Sequence, residues 1–499
     1  MELRGRKRRL GNTISEENCK NWTVERRCIQ TAASSATSTS GIKLPILELP
    51  VHIIVDILSR LPLKDILCCR SVCKTILKLL KDPYFAKVHL ARALATTSNL
   101  ILQKHGSKWG YLYFYTFDLG EADLSSCCSD DRISHSHFRH LHPLSRINAD
   151  FSFRGKNLAF IGSCNGLLCL YCNSPSKPFY SICNPILREY TELPHLAEST
   201  PSYIYSNYSA FGFCSKTKQY KVIRFLCPTS VDPLNSIHSS GMVADIHTLG
   251  SNSWRRIENP AWLKQQPFDP FVNGALHWIA ASQKPSELIS SFDLETEQFR
   301  LLPPPPHFSL HYVKNISWIN IGVLRECLCL CYIYEDAQFE AWVMKEYGVK
   351  DSWAKEFSID VKFYCKLQVE DLHRPIKFLS NGDLCFLSAS DSLVSFSPKK
   401  RTFRELKKMG PWRTEVSAHV LSFISLKDAM GAERRKLKSF RREISTNSCR
   451  DPQSIFHSSI DIIQSLRHHS NLRSYWVHCS SGCSTDVFKK QSDVFSFRV

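Results

Sequence analysis

The sequence predicts an α+β multidomain chain: a small three-helix unit, then an all-β propeller-like domain of about six blades, with flexible basic tails at both ends. Three observations lead there. Residues 44–92 carry apolar side chains at helical period, punctuated by prolines. From about residue 98 the texture changes to short strands rich in β-branched and aromatic residues. Within 98–427, an Asn-Gly turn and an aromatic–aliphatic pair recur at a spacing of roughly fifty residues.

Composition sets the outer bounds. The 499 residues are 43% hydrophobic and 22% charged, which suits a globular protein of two or more domains. No apolar run approaches the ~20 residues of a membrane helix, so no membrane partner is expected. Basic residues open the chain without an apolar stretch behind them, so no signal peptide is expected either, and the Asn21-Trp22-Thr23 sequon carries no weight. The 21 cysteines then read as reduced thiols of the cytoplasm and/or nucleus. Cys327, Cys329 and Cys331 fall on one strand face, as small core hydrophobes. The formal charge is +18, of which residues 1–40 (8 Lys/Arg, 4 acids) and 431–499 (12 Lys/Arg, 6 acids) hold 10. The middle has no basic stripe interleaved with stacking aromatics, which argues against nucleic acid as a partner.

Residues 1–43 read as a disordered basic leader, because Thr31 to Ser40 is low-complexity. Its cluster Arg4, Arg6, Lys7, Arg8 and Arg9 has the composition of a nuclear localisation signal and equally of a solvated tail. In the helical unit, Ile53, Ile54, Ile57, Leu58 and Leu61 mark a first helix, with Pro50 in its first turn and Pro62 as its stop. A second helix is expected from about Lys64 to Val72, and a third from Lys74 to Lys81, ending before Asp82-Pro83.

Residue by residue this stretch resembles an F-box. Leu49-Pro50, Ile57-Leu58, Leu61-Pro62 and Arg70-x-Val72-Cys73-Lys74 stand at the spacings of that motif. One position departs: Ile76 stands where the family usually has Trp. The resemblance implies docking of a Skp-type adaptor, and through it a cullin. The residues expected to form the docking face are Leu49, Pro50, Ile53, Ile54, Ile57, Leu58, Leu61, Pro62, Leu67, Val72 and Cys73.

The β region opens with Asn99–Gln103 and Tyr111–Phe117, followed by a polar connection over Leu119–Phe151 that holds His135, His137, His140 and His142. Three segments then read alike, each an Asn-Gly turn before an apolar strand: Asn165-Gly166, Asn273-Gly274 and Asn381-Gly382, the glycines 108 residues apart. The pairs Tyr190/Leu193, Trp254/Ile257, Phe299/Leu302 and Phe403/Leu406, with Trp353/Phe357 as a looser copy, repeat at about half that interval. Units of roughly fifty residues with several short strands each point to propeller blades, with 99–117 and Val416–Leu426 pairing to close the last. A two-sheet sandwich is the alternative. The segments 161–170, 181–194, 220–225, the one around Trp254, 272–278 and 292–305 resemble the F-box-associated domain of plant F-box proteins, and the order of the two regions is that family's order. Glycine doublets are missing, so the region is kelch-like at most. Residues 428–499 read as a basic, poorly ordered extension, in which 431–443 has some helical character.

The search for chemistry finds little. No phosphate loop, H-E-x-x-H, G-x-S-x-G or dinucleotide fingerprint occurs. Cys169/Cys172, Cys479/Cys483 and the mix of His468, His469 and His478 lack the paired spacing of a closed zinc site, so no metal and no cofactor is expected. The proline tract 303–306 reads as an interblade loop. The resemblance implies the substrate-recognition subunit of an SCF-type ubiquitin ligase, with no catalytic site of its own and a target protein held by the β domain. The alternatives are a non-ligase F-box scaffold or nuclear regulatory protein, and a propeller enzyme or carbohydrate binder, for which no carboxylate cluster is visible.

Overall fold

The computed structural model describes residues 45–96, 99–105, 112–118, 145–149, 157–173, 178–195, 203–228, 242–257, 260–264, 267–282, 284–335, 338–360, 372–379, 381–388, 392–408, 414–431 and 438–439. A 3-10 turn, Pro45–Glu48, leads into α1 (Val51–Arg60), α2 (Leu63–Cys69) and α3 (Lys74–Leu80). Pro50 is the residue before α1, extended at ψ 140°. Pro62 ends α1 by forcing Leu61 out of the helical region, at ψ 149°. α2 is shorter than expected, because Arg70–Val72 form a turn. Cys73 starts α3, its Sγ accepting from Ile76 N–H at 3.5 Å.

A fourth helix, α4 (Pro83–Thr96), corrects the three-helix expectation. Asp82-Pro83 does end α3, but it also begins the next helix. The Asp82 carboxylate accepts from Tyr84 N–H at 2.8 Å, and Pro83 occupies the first helical position, where no N–H is needed. The chain divides into two compact units. One holds α1, most of α2 and α3; the other holds α4 and every described strand.

The strands of the second unit are β1 (Asn99–His105), β2 (Leu112–Asp118), β3 (Ser145–Ala149), β4 (Asn157–Cys164), β5 (Leu167–Asn173), β6 (Phe179–Asn184), β7 (Glu189–Glu192), β8 (Tyr203–Cys214), β9 (Gln219–Pro228), β10 (Val243–Thr248), β11 (Arg255–Ile257), β12 (Phe271–Val272) and β13 (Ala275–Ile279). They continue as β14 (Ile289–Asp293), β15 (Gln298–Leu302), β16 (Ile316–Leu324), β17 (Cys327–Tyr334), β18 (Gln338–Met344), β19 (Trp353–Asp360), β20 (Leu372–Phe378), β21 (Leu384–Ser388), β22 (Ser392–Ser397), β23 (Thr402–Lys408), β24 (Thr414–Ala418) and β25 (Lys438–Ser439). Two short helices, α5 (Leu310–Lys314) and α6 (Leu426–Ala429), interrupt the series.

These strands form six antiparallel sheets: β24-β1-β2-β3, β25-β7-β6-β5-β4, β11-β10-β9-β8, β12-β13-β14-β15, β16-β17-β18-β19 and β20-β21-β22-β23. Successive sheets meet through β4, β8, β12 and β13, β16, β20 and β24, and β24 returns to β4. That is a β-propeller. Closure joins the two ends of the region: β1 pairs with β24, Leu100 opposite Ala418 and Lys104 opposite Thr414. Only 414–418 enter this sheet; residues 419–425, expected to continue it, leave it. Ser145–Ala149 is a strand inside the stretch expected to be a polar connection.

Hairpin chemistry explains the repeat. Asn165-Gly166 (φ 51° and 82°) and Asn273-Gly274 (φ 52° and 74°) are two-residue turns with both positions left-handed, the geometry that matches strand twist. The third copy differs: five residues separate Phe378 from Leu384, and Asn381 accepts from Asp383 N–H at 2.9 Å. The recurring aromatics Tyr190, Trp254, Phe299, Trp353 and Phe403 all lie in, or just before, the fourth strand of a sheet. Two of them reach the end of the preceding sheet: Trp254 Nε1 donates to Pro194 O at 3.1 Å, and Trp353 Nε1 to Pro303 O at 2.9 Å. The proline tract is therefore a connection, with Pro304 and Pro305 buried.

Each interface between sheets is filled by its own apolar cluster. Cys327, Cys329 and Cys331 pack together with Phe339, Phe357, Phe386 and Phe396. Cys169 and Cys172, three residues apart on β5, sit in different clusters because a strand's alternation sends them to opposite faces.

The described chain continues past Lys427. Leu426 and Met430 are buried in the cluster that holds Phe211 and Tyr220. Lys438–Ser439 form a strand against Tyr190 and Glu189, where helical character was expected. Residues 440–499 lie outside the described residues.

Candidate functional site

The helical unit presents two kinds of apolar residue. On α1, adjacent side chains are about 100° apart, so Ile53 and Ile54 look in different directions. Ile54 (2% exposed), Ile57 (7%) and Leu58 (2%) are core, together with Val55, Ile66, Ile76, Leu79 and Leu80. Leu49, Ile53, Leu61, Leu67 and Cys73 are half-buried, Pro50 and Pro62 are exposed, and Val72 is 40% exposed. Eight of the eleven residues expected to dock a partner thus remain accessible, and three are core. They come from the end of the 3-10 turn, the start of α1, the α1–α2 link, α2 and the α2–α3 turn. Asp56 and Arg60, paired at 3.0 Å and well exposed, mark a solvent side of α1. Ile76 fills its position from inside, at 4% exposure.

Groups of titratable residues in the propeller unit are turned inward. Arg224 on β9 and Asp245 on β10 form a buried pair, with Nε and Nη2 donating to Oδ2 at 3.0 and 2.6 Å; Arg256 Nε donates to Oδ1 at 2.6 Å. Glu340 on β18 accepts from Tyr332 Oη at 2.7 Å, Trp342 Nε1 at 2.9 Å and Lys355 Nζ at 2.6 Å. Burial pushes the Glu340 carboxyl up, but these donors outweigh it and hold it below its ordinary range. His277 is buried between Pro270 O at 3.0 Å and Tyr347 Oη at 2.7 Å, and burial pushes its pKa down to about 4. The first two groups join neighbouring strands, and His277 ties the residues before β12 and after β18 to β13. No group of three or more His, Cys, Asp or Glu that could hold a metal ion occurs among the described residues. No helix there is long and apolar enough to cross a membrane.

Several expected sites cannot be placed. The Arg4–Arg9 cluster, the four histidines 135–142 and the His/Cys mix at 468–483 lie outside the described residues.

Known proteins resolve what kind of helical unit and propeller these are. Residues 131–402 match the F-box associated beta propeller domain, and residues 46–87 match the F-box domain. The chain belongs to the F-box proteins with an associated β-propeller. It is 30% identical over 334 residues to F-box protein CPR1 of Arabidopsis thaliana, covering 62% of this chain and 73% of that one. A second Arabidopsis F-box protein is 28% identical over 411 residues, covering 75% of this chain and 92% of its own. An Arabidopsis F-box/kelch-repeat protein is 25% identical over 359 residues, 70% of this chain and 88% of its own. The F-box match ends at 87, inside α4, so the motif spans the Asp82-Pro83 cap. What sequence reasoning missed in this F-box is the inner face. Its signal was present in Val55, Ile66, Leu79 and Leu80, apolar residues at helical period beside the docking set.

Proposed function

We propose that this F-box protein is the target-binding subunit of an SCF-type ubiquitin ligase, working in the cytoplasm or the nucleus. The observation that carries the reading is the set of apolar side chains left outside the F-box core: Leu49, Pro50, Ile53, Leu61, Pro62, Leu67, Val72 and Cys73. A partner groove that covers such side chains gains roughly 25 cal/mol for each Å² of apolar surface it takes from water. The Skp-type adaptor is that partner, and a cullin follows through it. Ile54, Ile57 and Leu58 shape the surface from within. The propeller's loops hold a target protein. Bond chemistry belongs to the ligase partners, and this subunit contributes proximity. Each of the six sheets is read as one blade, in a kelch-like ring.

A second reading, an F-box scaffold or nuclear regulator outside any ligase, draws on Ile76 in place of the family's Trp and on the basic leader. The two are separated by reconstitution. The full chain is mixed with purified Skp-type adaptor, cullin, charged conjugating enzyme and ubiquitin. The ligase reading predicts ubiquitin chains on the receptor or a bound target, lost with Leu49→Ala/Pro50→Ala. Adaptor binding without any transfer supports the scaffold instead.

A further inference from the structure

After β24 the chain crosses the second sheet and meets it at several points. His419 Nδ1 and Ser163 Oγ share a hydrogen bond at 2.8 Å. Val420 and Ser422 run so close to Gly166 that no side chain fits there. Asn184, fully buried, donates from Nδ2 to Ser422 O at 3.0 Å and to Ile424 O at 2.7 Å. Its Oδ1 accepts from Ile186 and Leu187 N–H, so one side chain fixes both a hairpin turn and the passing chain. Glu189 Oε2 then accepts from Ser425 Oγ and Leu426 N–H, each at 2.9 Å.

Phe423 lies between the two carbonyls that Asn184 holds. Its ring meets α4: Phe85 at 5.4 Å between centroids and His89 at 4.9 Å, both edge-on. All three rings are buried, at 4%, 0% and 7% exposure. Among the described residues His89 Nδ1 has no hydrogen-bond partner, and the imidazole meets Phe423 through its ring.

We infer that residues 419–426 are a joint that seats α4 on the propeller, with Phe423 as the contact and Asn184 as the residue that holds the joint in place. α4 is then anchored through the far C-terminal end of the propeller region, some 330 residues on in sequence, and its stability follows that of the segment it rests on. The inference stands whether or not the ligase reading does.

Amide hydrogen exchange on the full chain tests it. In the wild-type protein, α4 and 419–426 should share one opening rate; α4 exchanging more than ten-fold faster than 419–426 overturns the joint. Phe423→Ala should speed exchange at 85–95 at least ten-fold and leave β16–β19 unchanged. Asn184→Ala should speed 419–426 and α4 together, and adding Phe423→Ala should move α4 little further. An Asn184→Ala variant that loosens 419–426 while α4 stays protected as in the wild type also overturns it. Should Phe423→Ala fail to fold, Phe423→Leu, with an intermediate rise expected in α4, replaces it.

Discussion

Two Asn-Gly turns of one geometry differ in what lies over them, and that difference makes a controlled experiment. Gly166 (φ 82°) and Gly274 (φ 74°) both occupy the second position of a two-residue hairpin. An alanine at either position takes a left-handed conformation at a cost of roughly 1–2 kcal/mol. Among the described residues nothing lies within 4 Å of a Cβ at Gly274, so the backbone cost is the whole effect there. At Gly166 a Cβ would overlap Ser422 Cβ and come within 2.8 Å of Val420 O and 3.0 Å of Ser422 N. Those last two are backbone atoms of a segment tied down by Asn184, so the clash cannot be relieved by a rotamer change. Overpacking of this kind adds roughly 1–3 kcal/mol. Gly274→Ala is therefore expected to lose about 1–2 kcal/mol, and Gly166→Ala about 2–5 kcal/mol. Urea unfolding of the full chain, followed by tryptophan fluorescence, reads both. Equal losses at the two positions would mean that 419–426 does not press on the second sheet, and the account of that segment would fail.

Other outcomes follow from the buried networks. Asp245→Asn removes the carboxylate that meets both Arg224 and Arg256, leaving a guanidinium in a site 4% exposed; a loss of roughly 3–5 kcal/mol in the same unfolding assay is expected. Replacing the pair together, Arg224→Met with Asp245→Leu, should recover most of it. Glu340 is held below its ordinary value of 4.5 in the folded chain, so its contribution is present above that pH and is lost as pH falls through the folded value. Glu340→Gln should flatten the fall in stability below about pH 4.5, and an unchanged slope would show that folding does not lower the pKa of this carboxyl.

Much of this architecture was legible in local chemistry. Pro50 and Pro62 bracket α1 because proline's constraints act on its immediate neighbours. The recurring aromatics mark the fourth strand of a sheet because a repeat of similar blades places similar residues in similar seats. What could not be read depended on long-range partners. Asp82-Pro83 is compatible with an end and with a beginning, and only the packing of Phe85, Ala86, His89 and Ala93 selects a new helix. The stretch 416–426 carries the strand-forming residues Val416, Val420, Phe423 and Ile424, yet only its first part finds a ladder. Beyond Ala418, the partner of Ser422 and Ile424 is the side chain of Asn184, more than 230 residues away. The same limit applies to the docking set. Helical period shows that Ile53, Ile54, Ile57 and Leu58 are apolar at helix spacing, but a helix with two apolar faces does not say which is core.

The central claim is that the outward apolar residues of the F-box seat an adaptor. Its most direct test is titration of the full chain with a purified Skp-type adaptor, comparing the natural sequence with Leu49→Ala/Pro50→Ala. The account predicts saturable binding by the first and loss of binding by the second, with the propeller's unfolding midpoint unchanged. A variant that binds as well as the natural chain would contradict it.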